Sequence, residues 1–377
     1  RLLRREKNKI IGAMLKPMRR RGTYGQRLFW EKDYKPGIVW PDGRVRIDWK
    51  SHTVSTGRLS GPYLLTIGSK KGQGPLKALF GAAPGHCLIG ADFDQIHLRI
   101  MANYWRIGGL LEAYSHGWDP YGYYAKVVLG KGYTEAPGWG PDGYDPTKKP
   151  KAGRAAAIRQ SFKILILALA YGASMPTVHA VYCATEGTRL DGDGRPMLDE
   201  LGIELLELPY MTTPSSVTRK YVRDILNAEP QFSFMWESMK DLHDLQGYIS
   251  DPLFDRRTTH TGDNPNEIIN DPILKAEAAV ARLAEIQLTG VFPHDCEGPF
   301  TGWVHQCHDS EAFEFMLPEG CDPRWTPSKA MRRDPSLLPP KLRRQLAEFE
   351  EAMTVNIPGW EIPFTVEGAV GRTLKDT

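Results

Sequence analysis

The sequence predicts an α+β fold, on three observations. Residues 87–93, CLIGADF, read as a compact apolar strand that stops on an acid. Residues 154–170 carry a helical pattern that Tyr171 and Gly172 can end. With 41% hydrophobic and 10% aromatic residues over 377 positions, the chain holds enough apolar material for one large core or two modest ones.

The elements follow in order. The opening segment reads as a helix around Leu2 to Met18, interrupted near Pro17. In IVWPDGRVRIDW, Pro41, Asp42 and Gly43 supply a turn between alternating apolar residues, which predicts a hairpin. A loop containing Gly and Ser spans Ser55 to Gly61. After the strand at 87–93, helical pattern resumes over residues 96–111. Another helix begins near Asp119, a natural N-cap because Pro120 follows at the first helical position. GKGYTEAPGWGPDGYDP, within residues 130–150, reads as an inserted surface loop. Residues 173–250 read as mixed helix and loop, and residues 272–287 as a helix with Pro272 near its start. Two short strands are expected around His294 and Asp295. The chain closes with a polar, Pro-rich insertion, a helix near Pro340 to Met353 and a strand around Pro363 to Val366.

Composition excludes some classes. The longest apolar run, Ile164 to Ala170, is far too short to cross a bilayer, so no membrane partner is expected. The basic opening segment lacks the apolar core and cleavage site of a signal peptide. Cys87, Cys183, Cys296, Cys307 and Cys321 form no repeated pair spacing, which fits a reducing compartment better than a disulfide scaffold. His305, Cys307, His308 and Cys321 are spaced too irregularly to predict zinc; ordinary burial or hydrogen bonding is expected. Because the first residue is Arg1, the chain is expected to be a piece of something longer. The net charge of +3 says less than its distribution. Residues 1–21 carry nine basic side chains against one acid, and residues 148–163 carry six and no acid. Either run is a solvated face or a sequence-independent contact to phosphates.

Chemistry concentrates in four separated motifs: TGRLSGP at 56–62, DFDQIHLR at 92–99, a helix carrying Arg159, Lys163, Tyr171 and Gly172, and the pair His294–Asp295. A carboxylate at the end of a packed strand is held at the edge of a cleft, because sheet packing fixes the side chains before it. Cations four residues apart lie on neighbouring turns of one helix face, suited to gripping phosphates. A lone His–Asp pair carries nothing by itself.

Taken in this order, the four motifs resemble those of the family A DNA polymerases, the bacterial-polymerase-I-like group. DFDQIHLR is close to the family's DYSQIELR, and the final IPFTVEGAVG is similar to its C-terminal strand. The resemblance implies a right-hand architecture of palm and fingers with most of the thumb absent. Residues 1–100 would form a connector and the first part of the palm. Residues 101–250 would be mainly fingers with a Gly/Pro-rich insertion, and 251–377 the returning palm and a C-terminal insertion. It implies extension of a DNA primer by deoxynucleoside triphosphates with release of pyrophosphate. Two Mg²⁺ ions, with Mn²⁺ as an alternative, would be held by Asp92, Asp295 and the backbone carbonyl of Phe93. Lys163 would approach the phosphate nearest the reaction and protonate the departing pyrophosphate, and Arg159 would grip the outer phosphates. Leu167 would pack on the sugar or base, Tyr171 would stack near the templating position, and Gln95 would orient its neighbours. Arg58 would reach the minor-groove edge of the primer terminus.

Departures from the family pattern bear on details. Asp263, Pro265, Glu267 and Lys275 lie over the family's later template-contacting segment, and His294 is a further expected DNA contact. Asp263 and Glu267 stand where amides are usual, which turns donors into acceptors. Cys296 separates Asp295 from Glu297, and a one-residue shift on a strand turns a side chain to the opposite face. His97 replaces the glutamate that crowds out a ribose 2′-hydroxyl. Leu167 replaces an aromatic wall, and Tyr121 stands at the position of a phosphate-contacting histidine. A relaxed-sugar or RNA-synthesising polymerase therefore stays open, as does a catalytically weak primer–template binding module. An upstream exonuclease, a helicase–primase or a processivity factor would be the protein partners. The setting expected is the cytoplasm or nucleoid of a bacterium, or the host cytoplasm for a phage protein.

Overall fold

The computed structural model describes residues 50, 54–59, 77–78, 80–150, 153–185, 187–188, 197, 206–207, 210–259, 265–292, 302–307 and 309–377. The expected opening helix and the hairpin around Pro41 lie outside them. The chain divides into two compact units: one of residues up to Ile96 with Glu277–Asn356 and Pro363–Thr377, the other of His97–Ala276 with Ile357–Ile362.

In the first unit a four-stranded antiparallel sheet has the order β6-β7-β1-β8. Its strands are β1 (His86–Phe93), β6 (Gly302–Cys307), β7 (Ser310–Met316) and β8 (Val366–Gly371). Register fixes what shares a face. Cys87 and Ile89 sit opposite Phe315 and Phe313, and Ile89 also faces Val370. All of these are buried. Phe313 meets Phe349 edge-on at 5.4 Å, and Phe315 meets Phe292 at 5.1 Å. Phe349 comes from α10 (Pro340–Met353), so one face of the sheet is an aromatic core. Each such ring contributes roughly 1.5–3 kcal/mol by leaving water.

The second unit is mainly helical. It contains α1 (Ile96–Trp105, from its second residue on), α2 (Gly108–Ser115), α3 (Pro120–Leu129), α4 (Lys131–Thr134), α5 (Gly153–Ala170) and α6 (Met175–Cys183). After these come α7 (Ser215–Ala228) and α8 (Gln231–Gln246), with the two-residue strands β2 (Gly187–Thr188), β3 (Leu206–Glu207), β4 (Ile249–Ser250) and β5 (Arg257–Thr258). Ala155, Ile158, Phe162, Leu165, Ile166 and Leu169 of α5 are buried, an apolar stripe at helical spacing. The helix ends where it was expected to. Gly172 takes φ +66°, Ala173 N–H donates to the Ala168 carbonyl at 2.9 Å, and Gly172 N–H donates to that of Leu169 at 2.8 Å. A side chain at residue 172 would also meet Ile269 Cδ1 at 2.7 Å, so both conformation and space call for glycine.

Four expectations about elements are corrected. The single helix over 96–111 is two, because Arg106 turns to φ 54°; Gly109 of α2 then lies against Glu229 and Tyr123 with no room for a side chain. The segment 130–150 is not a plain surface loop. Tyr133 of α4 is fully buried, and its ring meets Trp139 at 5.3 Å and Tyr144 at 6.2 Å. Trp139 Nε1 donates to the Tyr133 carbonyl at 3.2 Å, closing a small aromatic core that composition alone disguised. The helix expected from Pro272 begins earlier, as α9 (Pro265–Val291), with Pro272 inside it. The lost hydrogen bond and ring clash, roughly 3 kcal/mol, are offset by burial of Ile268, Ile269 and Ile273 around the proline. The last strand lies at Val366–Gly371, after Pro363; Phe364 instead bridges Val355. Near His294, β6 follows downstream, whereas the described chain upstream is the end of α9.

Candidate active site

Two groups of side chains, one in each unit, match the chemistry expected from the motifs. In the sheet unit, β1 is buried along its whole length except at Asp92, its single exposed residue. Asp92 pairs across the ladder with Ser310 on one side and Glu367 on the other. Two residues back on the same face is Gly90, where a Cβ would fall 2.9 Å from that of Thr377, so the chain closes tightly up to the acid. Beyond it Phe93 N–H donates to the Asp309 carbonyl at 3.0 Å and Asp94 N–H to that of Thr365 at 2.9 Å. Gln95 then takes φ 56°. A left-handed conformation costs a residue with a side chain about 1–2 kcal/mol, and it aims the chain from the strand end into α1.

Arg58 belongs to the same unit. Its guanidinium donates to the carboxylate of Glu277, which is buried in α9. Glu277 was not foreseen; the signal available was one acid inside the run KAEAAVA. Asp295, Asp263 and His294 lie outside the described residues. Glu267 is exposed in the first turn of α9, where its charge favours the helix dipole. Lys275 does not face solvent: it is buried and paired with Asp271 at 2.6 Å, and its ammonium donates to the Arg256 carbonyl at 3.0 Å. Arg256 in turn donates to the Lys275 carbonyl at 2.6 Å and to Asp251 at 2.8 Å.

In the helical unit Arg159, Lys163, Leu167 and Tyr171 recur every four residues, and all four are half-exposed, each directly after a buried residue, on α5 and at its end. The stripe expected from the spacing is therefore present. Arg159 makes a bidentate contact with Asp119: Nε donates to Oδ2 at 2.7 Å and Nη2 to Oδ1 at 2.6 Å. Burial works against the guanidinium charge, but the Asp119 hydrogen bonds and charge outweigh it and raise the Arg159 pKa. The Tyr121 ring lies beneath both cations, 5.2 Å from the Arg159 guanidinium carbon and 5.9 Å from Lys163 Nζ. Tyr121 and Tyr124 are core residues, whereas Tyr123 is half-exposed. At the far end of the stripe the Tyr171 hydroxyl shares a hydrogen bond with His97 Nδ1 at 2.6 Å.

The chemistry of these donors can be tested against the expected metal. Asp92 offers an exposed carboxylate with a hydroxyl and a second carboxylate as cross-strand neighbours, all hard oxygens of the kind Mg²⁺ prefers. Among the described residues no three of His, Cys, Asp and Glu gather into a metal-holding group. His305 is buried in β6, and desolvation, with help from the charge of Lys77, lowers its pKa to about 4. No helix among the described residues is long and apolar enough to cross a membrane.

Comparison with known proteins agrees with the motifs. Residues 32–137 match the model of DNA polymerase family A. The chain is 25% identical over 296 residues to DNA polymerase I of Rhizobium leguminosarum, an alignment covering 75% of this chain and 24% of that protein. It is 32% identical over 126 residues to DNA polymerase I of Pseudomonas aeruginosa, covering 32% of this chain and 13% of that one. The fold is similar to that of the POL domain of Pol1 from M. smegmatis, solved in complex with DNA primer-template and dNTP. The TM-score is 0.62 at 20% identity, over 90% of this chain and 49% of that one. The chain thus spans about a quarter or less of these curated relatives. These likenesses bear out the resemblance to family A DNA polymerases and the α+β palm-and-fingers fold class.

Proposed function

We propose, from this kinship with the family A DNA polymerases, that the chain extends a DNA primer with deoxynucleoside triphosphates under the direction of a template. The observation that carries the reading is Asp92, the one exposed residue of an otherwise buried strand, lying inside the segment matched to the family. In the reaction the primer 3′-oxygen attacks the α-phosphorus, its bond to the bridging oxygen breaks, and pyrophosphate leaves. Two divalent cations, when bound, supply activation of the 3′-oxygen and charge stabilisation on the entering and leaving oxygens. Asp92, the Phe93 carbonyl and Asp295 are the groups we assign to hold them.

The remaining roles belong to the chain's own side chains. Lys163 holds a proton for the departing pyrophosphate, and Arg159 grips the outer phosphates with donors not used by Asp119. Tyr121 lies under both cations and limits their freedom. His97, tied to Tyr171, stands as the steric residue against a 2′-hydroxyl, with Leu167 as the apolar wall beside the sugar. Gln95 orients the turn that follows Asp92. Arg58 serves the primer minor groove, and Glu267, Asp263 and His294 serve the template and primer backbone. In this reading residues 1–100 and 251–377 form the palm and residues 101–250 the fingers. Primer–template DNA and dNTPs are the partners, with an exonuclease, helicase–primase or processivity factor supplied from elsewhere.

Primer extension by this chain with Mg²⁺ and each nucleotide class tests the proposal. Template-dependent addition of dNTPs is expected. Template-dependent DNA binding without any extension would replace it with the binding-module reading.

A further inference from the structure

Asp119 does more than cap a helix. Its Oδ2 accepts the Gly122 N–H at 2.8 Å, as an N-cap should, and the same oxygen also takes Arg159 Nε. Its Oδ1 takes Arg159 Nη2 at 2.6 Å. The carboxylate is itself held still: Asp119 N–H donates to the Pro146 carbonyl at 2.9 Å, and the Asp119 carbonyl accepts the Tyr123 N–H at 2.8 Å. Side-chain exposure is 3% for Asp119 and 15% for Arg159, so the pair is largely removed from water. One edge of the guanidinium is therefore fixed by a carboxylate and one face lies over the Tyr121 ring.

A guanidinium has five N–H donors in a rigid fork. Two are spent on Asp119, which leaves the Nη1 edge as the directed surface of Arg159. We propose that Asp119 is a positioning residue for nucleotide binding, fixing Arg159 so that its remaining donors meet the triphosphate without reorganisation. The inference rests on the reading of Arg159 as a phosphate-gripping residue given above. It has a definite sign. As a bare counter-charge, Asp119 would weaken attraction for a polyanion, and its removal would tighten nucleotide binding. As a positioning group it lowers the ordering cost of a long side chain, and its removal weakens binding. The aromatic core of Tyr133, Trp139 and Tyr144 fits the second role, because it anchors the segment whose Pro146 carbonyl holds the Asp119 backbone.

The test is Asp119→Asn, and beside it Asp119→Ser. Both residues cap helices well, and neither can accept the bidentate fork. Single-turnover extension gives the apparent dNTP Kd and the maximal rate separately. We expect the Kd to rise by about three- to tenfold, the cost of ordering one long side chain, with the maximal rate near that of the unmodified chain. In an Arg159→Gln background the same substitutions should change nothing further, since Asp119 acts through Arg159. An unchanged or lowered Kd in the folded variants overturns the inference. So does a rise of equal factor in the Arg159→Gln background. If the unmodified chain extends no primer, the functional reading beneath it fails instead, and that outcome is visible before any variant is compared.

Discussion

The Tyr171 hydroxyl and His97 Nδ1 lie 2.6 Å apart, with their rings edge-to-face at 5.7 Å. A histidine that would stand alone as a steric residue is thus held by a partner from the end of α5. Tyr171→Phe removes that bond while keeping the ring. We expect it to lower the ratio of kcat/KM for dNTP over rNTP by about three- to tenfold, in line with one hydrogen bond. His97→Ala should lower the ratio further, and Leu167→Ala less than either. An unchanged ratio in an active His97→Ala variant would remove His97 from sugar discrimination.

Asp92→Asn should reduce extension by more than about a hundredfold, because the carboxylate charge that holds a cation is lost. Thermal unfolding should move by no more than about 0.5 kcal/mol, since the residue is exposed. Full-rate extension at saturating Mg²⁺ would show that Asp92 holds no essential ion.

Lys163→Ala and Arg159→Ala should separate kinetically. The first should depress the maximal single-turnover rate by about tenfold or more, as expected for loss of a proton donor. The second should chiefly raise the apparent dNTP Kd. Identical profiles would argue that the two cations act as one phosphate clamp.

Lys275→Met leaves Asp271 buried without its cation, and should destabilise the chain by about 3–5 kcal/mol. Replacing Asp271 with Leu in the same chain should recover much of that loss, measured by denaturant midpoints. Failure to recover would assign the cost to the lost Lys275 bond to the Arg256 carbonyl.

His305 gives a pH signature. Its folded pKa is lowered to about 4 from an ordinary 6.5, so the unfolded chain binds the extra proton between those values. Stability should therefore be full above about pH 6.5, decline as pH falls towards about 4, and level off below, a change of at most roughly 3 kcal/mol. His305→Gln should flatten that part of the stability curve; an unaltered slope would place its origin elsewhere.

Much of this was legible before any coordinates. The apolar run to Asp92, the Asp119–Pro120 start of α3 and the four-residue stripe on α5 are local signals, and local hydrogen bonding and burial decide them. What escaped depends on partners far apart in sequence. Nothing near Arg58 announces Glu277, and nothing near Arg159 announces Asp119, because ion pairs across 219 and 40 positions leave no periodicity. Arg106 and Gln95 take left-handed conformations that their residue types disfavour, so the helix break at 106 could not be read from propensity. Pro272 misled for the opposite reason: a strong local breaker was overridden by burial around it.

The Tyr133–Trp139–Tyr144 cluster also bears on how the chain ages in solution. Gly- and Pro-rich stretches are usually where proteases first cut, since backbone must open to enter their clefts. Here three packed rings hold such a stretch from within, so cleavage between Tyr133 and Tyr144 should be slowed while the cluster stays closed. A digestion time course resolved by fragment mass would show how readily the support beneath Asp119 opens.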